Sequence, residues 1–324
     1  MAPLPLLEAD SLEITILVDN QIDALLDGDE EVHRRPWAAG MAYNPLLEEP
    51  NVRITLQAEH GFASMVTVRR PGETHRMLFD AGLSPEGLIH NMDRLEIDAK
   101  EVEAVALSHG HWDHTGGLAG LVERLGKANM PLLAHPRIYT QRRAAPPGRE
   151  PTPLVPPSRS ALEGAGFELI EERDPSLILA GALLLTGEVP RVTDFEQGFP
   201  FFQSDEGNGW APEPHLLDDQ ALIANVKDKG LVVLTGCGHA GIVNIVRRAV
   251  AVTGITRVHG ILGGFHLSGA YFEPVIGRTI DGLRGFQPQL IVPAHCTGWK
   301  PQQMIAAAFP EAYVHNAVGT TYVV

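Results

Sequence analysis

The chain has 324 residues, 44% of them hydrophobic, which is enough to bury the core of one large domain. A net charge of −15 without basic runs excludes a surface that tracks a phosphodiester backbone, and it disfavours long-range attraction of anionic substrates. Two cysteines make no disulfide framework, and no apolar run of about 20 residues offers a membrane span.

In chain order, residues 12–18 read as a strand ending at Asp19 and Asn20. The opening Met-Ala-Pro-Leu-Pro-Leu-Leu-Glu lacks a basic segment followed by an apolar run, so no signal peptide is expected and the chain is read as cytoplasmic. Residues 27–50, charged and then aromatic and proline-containing, read as a long loop. Residues 53–58 and 63–69 read as two strands around a turn at His60 and Gly61, with 76–79 as a third ending at Asp80. A helical segment near 85–95 leads to the apolar strand 102–107. Leu118, Leu121, Val122 and Leu125 then stand at helical spacing in 116–125. Residues 131–134 read as a short strand ending in His135 and Pro136. The segment 144–160 holds six prolines, too many for regular structure, so 140–160 is expected to be an irregular loop, either a lid or a solvated excursion.

The second half repeats this grammar. Residues 182–185 end at Thr186-Gly187-Glu188, and the strand pair 221–226 and 231–234 ends at Thr235-Gly236-Cys237-Gly238-His239. A helix over 242–252 precedes the strand 258–262, which ends at Gly263-Gly264-Phe265-His266. A helix near 273–283 precedes the strand 290–293 and its ending Ala294-His295-Cys296. Strands that end in Gly, His, Cys, Asp or Glu are where ligands converge in open α/β sheets.

One segment carries the most chemistry: His109-Gly110-His111-Trp112-Asp113-His114, directly after an apolar strand. Three imidazoles and a carboxylate within six positions present nitrogen and oxygen donors to a borderline metal such as zinc. No low-complexity tract divides the sequence, and candidate ligands reach from the first third to the last tenth. Residues 1–324 are therefore read as one domain.

This hexapeptide resembles the signature of the metallo-β-lactamase superfamily. Asp80 resembles that superfamily's first motif, a carboxylate behind the metal ligands, and His295 its last histidine motif. The resemblance implies an α/β fold, a four-layer αββα sandwich of two mixed β-sheets with the metal site along one edge. Six segments also resemble the dihydropteroate-synthase-like branch of the superfamily: Ala58-Glu59-His60-Gly61, Ser108 to His111, Thr186 to Arg191, Gly236 to Asn244, Gly263 to Leu267, and Pro293 to Gly298. Members of that branch carry the name of a synthase that makes a dihydropterin–ribofuranosylaminobenzene phosphate.

The resemblance implies two divalent metal ions, zinc foremost with manganese or iron as alternatives. It places His109 and His111 on one ion and Asp113 with His114 on the other, joined by His295. The chain departs from the superfamily where a third histidine is usual, at Gly187-Glu188, and where a bridging aspartate is usual, at Cys237. Glu188, Cys237 and His239 are the candidates to supply the missing ligands. His266, in a Gly-Gly turn, is read as facing the substrate and donating a proton, with metal ligation as second choice. His60, Glu188 and Arg191 are read as substrate-binding, although Glu188 and Arg191 could simply pair with each other. Arg142 and Arg143 are further candidates for binding an anionic group. Asp80 and His135 are expected behind the ligands.

The function expected is hydrolysis of an ester, lactone or phosphoester by a metal-bound hydroxide, with Asp113 orienting the nucleophile. The alternative is a pterin-pyrophosphate-dependent transferase. The partner is a small-molecule substrate, with no nucleic acid and no membrane; the sequence leaves the oligomeric state open.

Overall fold

The computed structural model describes residues 2–35 and 37–324. Among these residues the strands form an eight-stranded and a seven-stranded sheet, with a four-stranded and a two-stranded sheet beside them. The larger sheet runs in the order Phe167–Glu171, Met130–Ala134, Ala104–Ala106, Glu73–Phe79, Ala63–Arg70, Ser11–Val18, Thr320–Val323 and Val32–Arg34. The seven-stranded sheet runs Ser176–Ile178, Leu183–Leu185, Ala221–Val226, Gly230–Thr235, Val258–Gly264 and Leu290–Ala294, with Glu8–Ala9 parallel to Ala221–Val226.

Three apolar clusters account for four layers. Side chains alternate across a strand, so one strand feeds two clusters. Val232 and Leu234 enter the layer between the sheets, where they meet Leu12, Ile14, Val66 and Phe79. Leu231 and Val233 point the other way, onto Ile242, Ile245 and Val246 of the helix Ile242–Thr253 and onto Ile280 and Ile305. On the far side of the larger sheet, Met65, Leu78 and Val105 pack against Leu88 and Met92 of the helix Pro85–Arg94 and against Leu118 and Leu121. Helix, sheet, sheet and helix follow one another, the αββα sandwich that the hexapeptide's resemblance implies. Among the described residues no helix is long and apolar enough to cross a membrane.

Three expectations need correction. Residues 27–50 are not all loop: Val32–Arg34 joins the larger sheet, and Trp37–Tyr43 pairs antiparallel with Asn51–Thr55. The strands predicted over 53–58 and 63–69 are therefore not partners. Asn51, Arg53 and Thr55 are exposed, which suits a peripheral ribbon, whereas Ala63–Val68 is buried throughout and takes a central place between Ser11–Val18 and Glu73–Phe79. The Pro-rich segment also contains regular structure, because Thr152–Leu154 pairs with Gln141–Ala144, which pairs in turn with Phe202–Asp205. Pro153 is accommodated because Thr152–Leu154 is the edge strand, where a missing N–H breaks no ladder.

The parallel strands aim the chemistry. Glu73–Phe79 and Ala104–Ala106 run parallel in one sheet, as do Gly230–Thr235, Val258–Gly264 and Leu290–Ala294 in the other. Their C-terminal ends deliver Asp80, the hexapeptide, Cys237 with His239, His266 and His295.

Candidate metal centre

Three of these strand ends turn through strained backbone. Asp80, His266 and His295 have φ of 57°, 44° and 46°, a region non-glycine residues rarely occupy and one that clusters at functional sites. The turn after Thr235 needs glycine for space: a Cβ on Gly236 would overlap Ser108 Oγ and Asp80 Oδ2.

Asp80 is fully buried and organises one side of the centre. It accepts from Ser108 N and Ser108 Oγ at 2.7 Å each, and from His114 Nδ1 at 2.7 Å. Ser108 Oγ also lies 2.9 Å from His109 Nδ1, which donates to it. His295 is held likewise: its N donates to Asp19 Oδ1 at 2.8 Å, and its Nδ1 lies 3.2 Å from Asn20 Oδ1. In all three rings the Nδ1 atom is spent on an oxygen, so Nε2 is turned inward. Fixing the ring through its second nitrogen is how proteins orient imidazole ligands.

Two groups of candidate ligands result. Asp113, His114, Cys237 and His295 form one, and His109, His111 and His239 form the other, with ligand atoms in each lying within 4.8 Å of one another. His114 Nε2 sits 3.2 Å from both Cys237 Sγ and His295 Nε2, and Asp113 Oδ2 lies 3.3 Å from His295 Nε2. Cys237, His239 and His266 also converge. His109 Nε2, His111 Nε2, both ring nitrogens of His239, and His266 Nδ1 are buried without a hydrogen-bond partner in the protein. Buried polar atoms are almost always paired, so inward-facing orphan nitrogens are the mark of a group the protein is shaped to hold. The donor set fits a metal.

Electrostatics agree. Burial pushes His109, His111 and His239 well below the usual histidine range, His111 to about 3, which leaves neutral lone pairs. Burial raises Asp113, but the His114 and His295 charges beside it outweigh this and hold its carboxyl below the carboxylate range. Burial lowers His114, and the Asp80 and Asp113 carboxylates overcome it to raise the ring to about 9.

The remaining predicted residues divide. His60 is exposed at the rim, 3.7 Å from Asp113 Oδ2 and with its ring 5.0 Å from that of His295. His266 lies with its ring 4.0 Å from that of His239. Glu188 stands outside both ligand groups, paired with His135 Nε2 at 3.1 Å and with Arg173. His135 Nδ1 accepts from Arg137 N at 3.2 Å, and among the described residues no hydrogen bond joins His135 to a member of either ligand group. Arg191 does not pair with Glu188 but donates to the carbonyls of Val189 and His215. Arg142 is occupied by Glu213 and Asp218, and Arg143 by Gln203 and the face of Trp210. Sequence reasoning assigned no role to Asp19, Asn20, Ser108, Asp218 and Asp219; the strand-end position of Asp19-Asn20 and the place of Ser108 in a motif segment were the only signals.

A cavity of about 210 Å³ opens against His239 and His266, walled by Phe195, Phe265, Tyr271 and Phe272. The ring of Phe272 meets that of His266 edge-on at 4.9 Å.

The pattern of the metallo-β-lactamase superfamily matches residues 59–236, more than half of the chain. The chain belongs to the metallo-β-lactamase superfamily. The match ends just before Cys237, so Cys237, His239, His266 and His295 lie outside the matched residues and join the centre through the geometry above and the motif segments that hold them. Over 259 residues the chain is 32% identical to the 7,8-dihydropterin-6-methyl-4-(beta-D-ribofuranosyl)-aminobenzene-5'-phosphate synthase of Methanocaldococcus jannaschii, covering 79% of this chain and 87% of that enzyme. It is 31% identical over 244 residues to the uncharacterized protein MJ0448 of the same organism, covering 75% and 86%. Among solved structures it resembles Tm1679, a metal-dependent hydrolase of the β-lactamase superfamily, with a TM-score of 0.70 at 22% identity over 96% of this chain and 98% of that one. That likeness is one of fold. Superfamily membership and the synthase relative place this metallo-β-lactamase-fold chain among enzymes.

Proposed function

We propose that this metallo-β-lactamase-fold protein is a hydrolase that holds two divalent metal ions and cleaves an ester, lactone or phosphoester. The observation that carries the reading is the set of buried, unpartnered imidazole nitrogens of His109, His111 and His239 beside the group Asp113, His114, Cys237 and His295. The three histidines would hold one ion and the four-residue group the other. A pair of ions bound in this way brings the pKa of water near neutrality and polarises an electrophilic oxygen. Sulfur from Cys237 and nitrogen-rich surroundings favour zinc over manganese.

The chain's own residues supply the rest. Asp80 and Asn20 fix the rings of His114 and His295, so the ligand geometry is set before substrate arrives. Asp113 stays ionised at any working pH and can accept a hydrogen bond from the attacking nucleophile as well as ligate. His266, with a free Nδ1 on the wall of the cavity, is the group placed to hold a proton for the leaving group. His60 borders the mouth of the site beside Asp113 and is a contact for the substrate's polar end. Phe195, Tyr271 and Phe272 line a slot for a flat, largely apolar part of the substrate.

A second reading has its own support. Similarity to the synthase over 79% of the chain, together with the aromatic cavity, favours transfer of a pterinylmethyl group from pyrophosphate to an aminobenzene ribotide. The test measures metal content, then offers the zinc-loaded protein a panel of aryl esters, lactones and phosphodiesters, and separately the pterin pyrophosphate with and without the aminobenzene ribotide. Turnover of the first panel supports hydrolysis. An adduct formed only with the ribotide, and no turnover of the panel, replaces it with transfer.

A further inference from the structure

Three consecutive buried residues, Asp218, Asp219 and Gln220, precede the strand Ala221–Val226 and reach both loops that carry the three-histidine group. Asp218 Oδ2 accepts from Gly110 N at 3.0 Å, the peptide between His109 and His111. Gln220 donates from N to Ser108 O at 2.9 Å and from Nε2 to Leu107 O at 3.0 Å. Asp219 Oδ2 accepts from Ala240 N at 2.8 Å, one residue beyond His239. None of the three has a hydrogen bond to Asp113, His114, Cys237 or His295 among the described residues.

Asp218 is itself fixed. Arg142 Nη1 donates to its Oδ2 at 3.1 Å, and Arg142 Nε donates to Glu213 Oε2 at 2.9 Å. Arg142 lies on Gln141–Ala144, the strand that pairs with the Pro-rich edge strand. The peptide at Gly110 is packed so closely that an added Cβ would overlap Ile138 O, so a lost acceptor there is not readily replaced by solvent. An unsatisfied buried N–H forces its loop to relax, and here both flanking side chains are candidate ligands.

The geometry points to Asp218 and Gln220 as positioning residues that set His109 and His111 against His239, with Arg142 holding Asp218 from the small sheet. This inference rests on the metal reading above, and it concerns only one of the two ligand groups. Partners behind metal ligands typically change affinity by about 10- to 100-fold when removed.

The test is titration of the metal-stripped, full-length protein with Zn²⁺ against a competing chelator, repeated with Co²⁺. Cys237 makes the two groups distinguishable, because only the group containing it gives a thiolate-to-cobalt charge-transfer band. Asp218→Ala is expected to weaken one of two sites by about 10- to 100-fold while the thiolate band keeps its wild-type intensity. Asp218→Asn, which retains an acceptor for Gly110 N, is expected to restore affinity to within a few-fold of wild type. Gln220→Met, a milder change if Asp218→Ala does not fold, is expected to weaken the same site several-fold, again with the thiolate band intact. Wild-type affinity at both sites in Asp218→Ala and Gln220→Met overturns the inference, as does an equal loss at both sites. A wild-type chain that takes up two ions but turns over nothing leaves the inference standing and removes the proposed reaction. A wild-type chain that takes up no ion overturns both.

Discussion

Acid should destabilise the metal-free protein through its buried neutral histidines, and His111 allows the size of the effect to be worked out. Burial holds this ring at about 3, against the opposing pull of the Asp113 charge. In the unfolded chain a histidine titrates near 6.5. Between these values the unfolded state binds one proton more than the native state, so stability falls as pH falls, by about 1.4 kcal/mol per unit. The contribution is complete above pH 6.5, is down by about 2 kcal/mol at pH 5, and is down by about 4 kcal/mol near pH 3. His114 does not confuse the measurement. Its pKa is raised to about 9, so its stabilising effect is complete below 6.5 and is lost as pH rises through 9. The assay is urea denaturation of chelator-treated wild type and His111→Asn at pH 7, 6 and 5. The variant is expected to gain about 2 kcal/mol on wild type between pH 7 and pH 5. A difference that stays constant over that interval refutes the reasoning.

Other outcomes follow from the same geometry. Asp113→Ala is expected to abolish turnover and lower metal content with little change in circular dichroism; an active, fully metallated variant would sink the assignment. A cation at Asp113, His114, Cys237 and His295 must displace both the proton that Asp80 and Asp113 hold on His114 and the thiol proton that burial keeps on Cys237, so its apparent affinity should weaken up to about a hundredfold for each pH unit below 9. Calorimetry in buffers of different ionisation enthalpy reads the released protons, and uptake without proton release would contradict this. Leu234→Ala in the layer between the sheets is expected to cost about 2–5 kcal/mol in urea denaturation, and a loss below about 1 kcal/mol would mean that layer is not closely packed.

The hexapeptide was legible because its spacing is local: His109, His111, Asp113 and His114 need only one strand end and one turn of helix, Trp112–Thr115, to converge. The central strands were legible too, since Leu231–Leu234 is an unbroken apolar run buried on both faces. Peripheral elements were not. Trp37–Tyr43 and Thr152–Leu154 belong to small peripheral sheets, and the first carries alanines and a glycine in place of β-branched residues while the second carries a proline, so neither reads as a strand. The C-terminal strand Thr320–Val323 is only four residues long and finds its place through pairing with Ser11–Val18, some three hundred positions away. The same distance hid the bracing residues. Asp218 and Gly110 are separated by 108 positions and Asp19 and His295 by 276, and nothing in a short polar dipeptide announces which backbone it will meet.

The departures at Glu188 and Cys237 acquire a single physical explanation once His239 is placed. Glu188 follows the strand Leu183–Leu185 by three residues, yet its carboxylate turns to His135 and Arg173. The third imidazole of the histidine group comes instead from the end of Gly230–Thr235, two strands across the same sheet. One turn therefore offers sulfur to one ligand group and nitrogen to the other, through Cys237 and His239. Relocating that ring also moves it to the wall of the aromatic cavity, against His266. A substrate seated between Phe272 and Phe195 would then touch a candidate ligand and the candidate proton donor together. In the proposed reading specificity and chemistry are joined at His239, so changes to the cavity should alter turnover as well as affinity.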